Sequence, residues 1–180
     1  MNHPKSSHRG FLLLLLFACT LSLTKCALLD ELTTERGSVT TTSTPVGDRE
    51  TELRKSIADY AKQQLGSKYK YAGDSPKTGF DCSGLTSYVM REFDISISRS
   101  SRAQAQEGKK VVLQDAMPGD LVFFKRSRTG PVFHVALIVK NDRNGVHVVH
   151  STNRGVVQEN ISQNKYWKPK IHQVRNIVGR

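Results

Sequence analysis

The chain has 180 residues, 37% of them hydrophobic, which fits one domain of ordinary size with extra sequence at an end. Its formal charge is +11, and residues 1–47 contribute only Lys5, Arg9, Lys25 and Arg36 against Asp30, Glu31 and Glu35. The remainder carries 23 basic against 13 acidic residues, a balance of +10. Such a surface predicts anionic surroundings. Nucleic acid is excluded as the partner, because no groove-reading motif is present and the N-terminus reads as an export signal.

That signal is Lys5 and Arg9 followed by the apolar run Phe11–Ala18, with looser apolar character to Leu23. The run is too short for a comfortable membrane span and has the layout of a secretory leader. Cys19 and Cys26 lie at its end, so membrane attachment through a lipidated Cys19 or Cys26 stands beside plain cleavage as a reading of residues 1–26. Three cysteines, two of them in a removable segment, give no disulfide framework. Residues 27–47, rich in Thr and Ser from Thr33 onward, read as a flexible tether.

The folded part is expected over 48–180. Asp48 has the side chain of an N-cap, and Leu53, Ile57, Tyr60, Ala61 and Leu65 form one helical face that ends at Gly66. Ser67 to Phe80 reads as loop. Asp81 then caps a second helix whose buried face is Leu85, Tyr88, Val89 and Phe93, with Cys82 on its first turn. Ser101-Arg102-Ala103-Gln104 has the form of a capping box opening a short helix that Gly108 stops.

The period then changes. Leu121–Phe124, Val132–Val139, Val146–Ser151, Val156-Val157 and Ile171–Val178 read as strands, with Asn141–Gly145 as a hairpin loop. Helices followed by an antiparallel sheet make an α+β domain.

A thiol at Cys82 feels the positive end of the helix dipole and nearby unpaired amides, which favours thiolate, the nucleophilic form. A small apolar residue packed under the helix is the other reading. His134 lies within an apolar strand and needs a polar partner or a chemical role. Hairpin geometry supplies a partner. A five-residue loop pairs Lys140 with Val146 at an index sum of 286, so Ala136 faces His150 and His134 becomes its diagonal neighbour. A two-residue Asn144-Gly145 loop gives 289 and separates the histidines onto opposite faces. The even register combines a thiol, a base and a second imidazole to orient it, the arrangement of papain-like cysteine hydrolases. A metal site from Cys82, His134 and His150 uses the same residue types, but lacks close ligand spacing and sits at a helix end that repels cations. His147 alternates to the other face.

The ordered blocks Tyr69-Lys70-Tyr71-Ala72-Gly73, Phe80-Asp81-Cys82-Ser83-Gly84-Leu85, Arg99-Ser100-Ser101 with Gln104, Pro118-Gly119-Asp120, His134-Val135-Ala136 and His150-Ser151 resemble the NlpC-type family of bacterial cell-wall cysteine peptidases. The resemblance runs from about Ile57 to Val178. It implies a papain-like fold, N-terminal helices packed on a central antiparallel sheet, and cofactor-free hydrolysis of peptidoglycan stem peptides in the cell envelope. By the same resemblance Cys82 is the nucleophile, His134 the general base and His150 its orienter. Tyr71 and the Cys82 amide would steady the oxyanion, and Asp81, Ser83 and Ser101 would line the cleft. The expected cut is the γ-D-glutamyl–diamino acid bond. A D-alanyl–diamino acid cross-link peptidase and a catalytically silent wall-binding module are the alternatives. Ala72 departs from the family pattern, which has glycine there.

Overall fold

The computed structural model describes residues 46–179; the leader, the two candidate lipidation cysteines and nearly all of the tether lie outside the described residues. Helix α1 spans Val46–Gln63 and starts two residues before the expected cap, so Asp48 sits in the first turn, where its charge still complements the helix dipole. Ile57, Ala58 and Ala61 on its inner face are buried. Leu65, expected on that face, lies beyond the helix end and is exposed, while Gly66 turns the chain at φ +84°.

The segment expected to be loop holds a small hairpin, β1 (Asp74–Ser75) and β2 (Gly79–Phe80). Helix α2 (Cys82–Arg91) follows, with Asp81 as its N-cap accepting from the Gly84 amide at 2.7 Å. Gly84 is required at its place. A Cβ there would collide with the Gly73 carbonyl and the Arg99 guanidinium, so this glycine lets the preceding loop lie directly on the helix. Helix α3 (Ser101–Gln104) is capped by Ser100, one residue earlier than expected. Gln104 does not reach back as a capping box would. It is fully buried, donates to the carbonyls of Ser83 and Ser98, and accepts from the Thr86 hydroxyl.

The sheet contains β3 (Lys109–Val111), β4 (Leu121–Lys125), β5 (Val132–Asp142), β6 (Gly145–Thr152), β7 (Gly155–Asn160) and β8 (Ile171–Asn176). Its order is β3-β8-β4-β5-β6-β7, and every neighbouring pair is antiparallel. Alternation along β4 and β5 divides the core in two. Leu121, Phe123, Val135 and Leu137 pack with the helices, whereas Val122, Phe124, Ala136 and Ile138 pack with Ile161 and Trp167. Burying both faces explains why these strands read as continuous apolar runs.

The β5–β6 hairpin differs from expectation in an instructive way. Its loop is not five residues long: the strands continue to Asp142 and Gly145, leaving Arg143-Asn144 as the turn, with Asp142 bonding the Asn144 amide. Pairs near that turn, such as Asn141 with Val146, sum to 287, an odd register that would put the two histidines on opposite faces. A bulge between Ile138 and Lys140 inserts one residue on β5. Beyond it Ile138 faces Val148 and Leu137 faces Val149, at the expected sum of 286. The extra residue, not the loop length, restores the even register.

Arg54 joins the helices to the sheet from a buried position. Its guanidinium bonds Glu50 at 2.9 Å, the Pro118 carbonyl at 3.0 Å, Asp120 at 2.8 Å and Asn176 at 2.9 Å. Asp120 is equally buried and also accepts from the Met117 amide. One cation thereby ties α1, the turn before β4 and the end of β8.

Candidate active site

Cys82, the one free cysteine among the described residues, opens α2 and is partly buried. It borders two cavities. One, of about 460 Å³, is also lined by His134, Phe133, Arg126, Glu159 and Trp167. The other, of about 820 Å³, is lined by Tyr71, Asp81, Ser83, Arg99, Ser101 and Arg102. Every site residue singled out from the sequence therefore lines one of these cavities, except His150, which is fully buried behind His134.

The two imidazoles lie as the even register requires: His134 Nε2 is 3.0 Å from His150 Nδ1. His150 Nε2 is in turn 2.8 Å from Glu159 Oε2. Trp167 stacks on the His134 ring at 4.6 Å between centroids and donates its Nε1–H to the same Glu159 oxygen at 2.9 Å. Arg154 donates to the other carboxylate oxygen at 2.7 Å. The bonded chain His134, His150, Glu159 thus runs across β5 and β6 to β7, and its His134 end lines the same cavity as Cys82.

Electrostatics overturn one expectation. The helix end was expected to favour thiolate, yet burial pushes the Cys82 thiol up from its ordinary range, and the Asp81 charge adds to this. The amides of Val135, Ser83 and Cys82 itself oppose the shift without reversing it. Burial holds His134 well below the ordinary imidazole range, reinforced by His150. His150 is also lowered by burial, against the opposing pull of Glu159. Burial alone would raise Glu159, but its bonds from Arg154, His150 and Trp167 win, and the carboxyl is lowered. These shifts favour a neutral thiol and a neutral imidazole beside a carboxylate.

The second cavity is wired through Arg99. Its guanidinium grips both Asp81 oxygens, at 2.8 and 3.1 Å, and reaches Ser83 Oγ at 3.1 Å and the Gly73 carbonyl at 2.7 Å. Asp81 and Ser83 therefore serve the helix end as well as lining the cleft. Tyr71 projects at the rim and is 83% exposed, on a loop whose Ala72 has φ +57°. His147 sits near Asn160, and His172 lies at another surface site.

Sequence reading did not single out Glu159, Trp167, Arg154 or Arg99 as site residues. For Glu159 a signal exists. The second hairpin turns at Asn153-Arg154 and pairs His150 with Val157, so Glu159, two residues on, shares that face.

A thiol on the first turn of a helix and an imidazole delivered by an antiparallel sheet, lining one cavity, define a papain-like α+β domain. Residues 66–176 match the NlpC/P60 family, and the chain belongs to that family. It is 34% identical over 122 residues to the Escherichia coli (strain K12) protein named "Probable endopeptidase NlpC", covering 67% of this chain and 76% of that one. It is 39% identical over 126 residues to the Gamma-DL-glutamyl hydrolase of Bacillus subtilis (strain 168), covering 68% of this chain but only 30% of that protein. The Murein DD-endopeptidase MepS/Murein LD-carboxypeptidase of Escherichia coli (strain K12) is 32% identical over 133 residues, 73% of this chain and 67% of that one. Among solved structures, an NlpC/P60 family protein from Bacillus cereus ATCC 10987 superposes with a TM-score of 0.63 at 28% identity, over 69% of this chain and 40% of that one.

Proposed function

We propose that this chain is a cysteine-type peptidoglycan endopeptidase that cuts the γ-D-glutamyl–diamino acid bond of stem peptides. The observation that carries the reading is one cavity lined by both Cys82 and His134, with the His134 ring held by His150 at 3.0 Å. A thiol and a base on one cavity wall are the minimum for acyl transfer through sulfur.

Because the resting pair is neutral, proton transfer accompanies attack. The Cys82 sulfur adds to the amide carbonyl carbon while its proton passes to His134. The tetrahedral oxyanion is met by the Cys82 amide at the helix end and the Tyr71 hydroxyl. The imidazolium then returns the proton to the departing amine, leaving an acyl-enzyme that water, activated by His134, releases. The leaving amine has to reach His134, so the amine side of the substrate occupies the smaller cavity. The acyl side occupies the larger one, between Tyr71, Arg99 and Ser101. The cationic rim at Arg102 and Arg126 suits a substrate rich in carboxylates.

The name of the Bacillus subtilis relative supports the γ-glutamyl bond. A second reading, cleavage of D-alanyl–diamino acid cross-links, is supported by the murein DD-endopeptidase name of a relative matched over 67% of its length. Residues 1–26 fit export to the cell envelope, with or without a lipid on Cys19 or Cys26, and residues 27–47 fit a tether. The deciding experiment incubates purified muropeptides with the protein and with Cys82→Ala and reads the products by mass. Cleavage by the parent alone is the expected result, and the product masses identify the bond. Equal turnover by both proteins refutes the mechanism, and no cleavage by either favours a wall-binding role.

A further inference from the structure

We infer that Glu159 is a positioning residue that fixes the protons on both imidazoles, so that His134 presents a bare, basic Nδ1. The inference rests on the proposed role of His134 as base and extends it to a residue that touches neither thiol nor substrate.

The assignment follows from donor and acceptor bookkeeping along the chain. An ionised carboxylate only accepts hydrogen bonds. Glu159 Oε2 already takes the Trp167 indole N–H, and it lies 2.8 Å from His150 Nε2, so that nitrogen must carry hydrogen. His150 is fully buried and kept neutral, so its Nδ1 holds a lone pair. His134 Nε2, 3.0 Å away, must then be the donor. A neutral His134 protonated on Nε2 has its lone pair on Nδ1, which bonds no described residue and is free to take the thiol proton. While His150 is neutral, reversing any step puts two donors or two acceptors face to face.

The competing arrangement has His150 doubly protonated between Glu159 and His134. His134 would then accept at Nε2, carry its proton on Nδ1 and be useless as a base. Burial disfavours that state at neutral pH, and acid favours it. The acid limb of activity thus belongs to the imidazole pair as a unit. The charged and titratable groups around the pair and its cavity are Glu159 on β7, Arg154 in the β6–β7 turn, Tyr69, Tyr166, Cys82 with its neighbour Asp81 at the start of α2, and Arg126 over the Phe133 ring. Arg154 and Trp167 hold the carboxylate, and with it the direction of the proton chain.

Two measurements on the full chain test this. Nitrogen-15 NMR of the imidazoles at neutral pH reads each tautomer directly, and both His134 and His150 are expected as Nε2–H. Glu159→Gln, whose amide can donate as well as accept, is expected to mix the His150 tautomers. It should lower kcat by roughly 10²- to 10⁴-fold, the upper figure being what tautomer inversion costs a serine-protease triad. Losing the negative charge lowers the proton affinity of the pair, so the acid limb of kcat/KM moves to lower pH; Glu159→Asp keeps the charge and the limb. A purely structural role would leave the limb in place. A parent spectrum showing Nδ1–H on either ring overturns the inference, whether or not the variant folds. So does a Glu159→Gln variant within roughly twofold of the parent with an unmoved limb. Should the parent cleave no stem peptide, the proposed function fails while the spectrum still decides the proton positions.

Discussion

Replacing Arg54 with methionine keeps an unbranched chain of similar reach and removes the cation at the junction of α1, β4 and β8. Four hydrogen bonds of 2.8–3.0 Å are lost, and Asp120, which is 1% exposed, keeps only the Met117 amide. Breaking a buried ion pair from one side costs about 3–5 kcal/mol, mainly because the other charge is stranded. Burial already raises the Asp120 carboxyl even with Arg54 beside it, so the variant raises it further. A carboxyl with a raised folded-state pKa destabilises increasingly as pH climbs from its unfolded value through the folded one. The deficit of Arg54→Met should therefore be larger at pH about 8 than at pH about 5. Adding Asp120→Asn removes the stranded charge and should recover more than about 1 kcal/mol of the loss. Urea unfolding followed by circular dichroism measures all three proteins. A single-variant loss under about 1 kcal/mol, or a double variant no more stable than the single, would refute the assignment of the buried cation as the tie.

Two further outcomes are expected. Ala72 occupies the left-handed region at φ 57°, so Ala72→Gly should raise stability by about 1 kcal/mol; an unchanged or lower urea midpoint would show that the loop compensates elsewhere. His134 and His150 both have folded-state pKa values below the ordinary 6.5, so the unfolded chain binds protons that the folded one refuses once pH drops below that value. Stability gained above pH 6.5 is lost as pH falls toward the folded values, by up to about 1.4 kcal/mol per unit for each ring, and a flat unfolding midpoint between about pH 7 and 5 would contradict it.

Much of the site is legible in the residues because local chemistry dictates it. Asp81 before an apolar helical face is a cap wherever it occurs, and the cap places Cys82 on the first turn. His134 in an apolar strand calls for a partner, and alternation leaves few. What failed was local detail settled by tertiary contact. Ser101-Arg102-Ala103-Gln104 has capping-box spacing, but Gln104 has better partners in the buried carbonyls of Ser83 and Ser98, so Ser100 caps alone. Asn141–Gly145 reads as a long loop because it is polar, yet Asn141 is held in the strand by donating to the carbonyls of Leu113, Gln114 and Ala116. Glu159 carries no motif of its own, and only index arithmetic carried through the second hairpin reaches it.

The bulge on β5 shows how indirectly a functional register can be set. A tight two-residue turn is the common way to close a hairpin, and by itself it would set His134 and His150 back to back. One inserted residue near Val139 reverses the phase so that His134 meets His150, while the β6–β7 hairpin, unbroken in register, independently brings Glu159 to His150. The proposed base is thereby assembled from three strands and not from the helix that carries the thiol. That division suits the neutral resting state. Burial disfavours charge on the sulfur and a second proton on the imidazole, and the proposed proton transfer would then wait for a substrate amide. On the proposed tautomers, the proton chain ending in Glu159 would supply the direction that an ion pair would otherwise have provided.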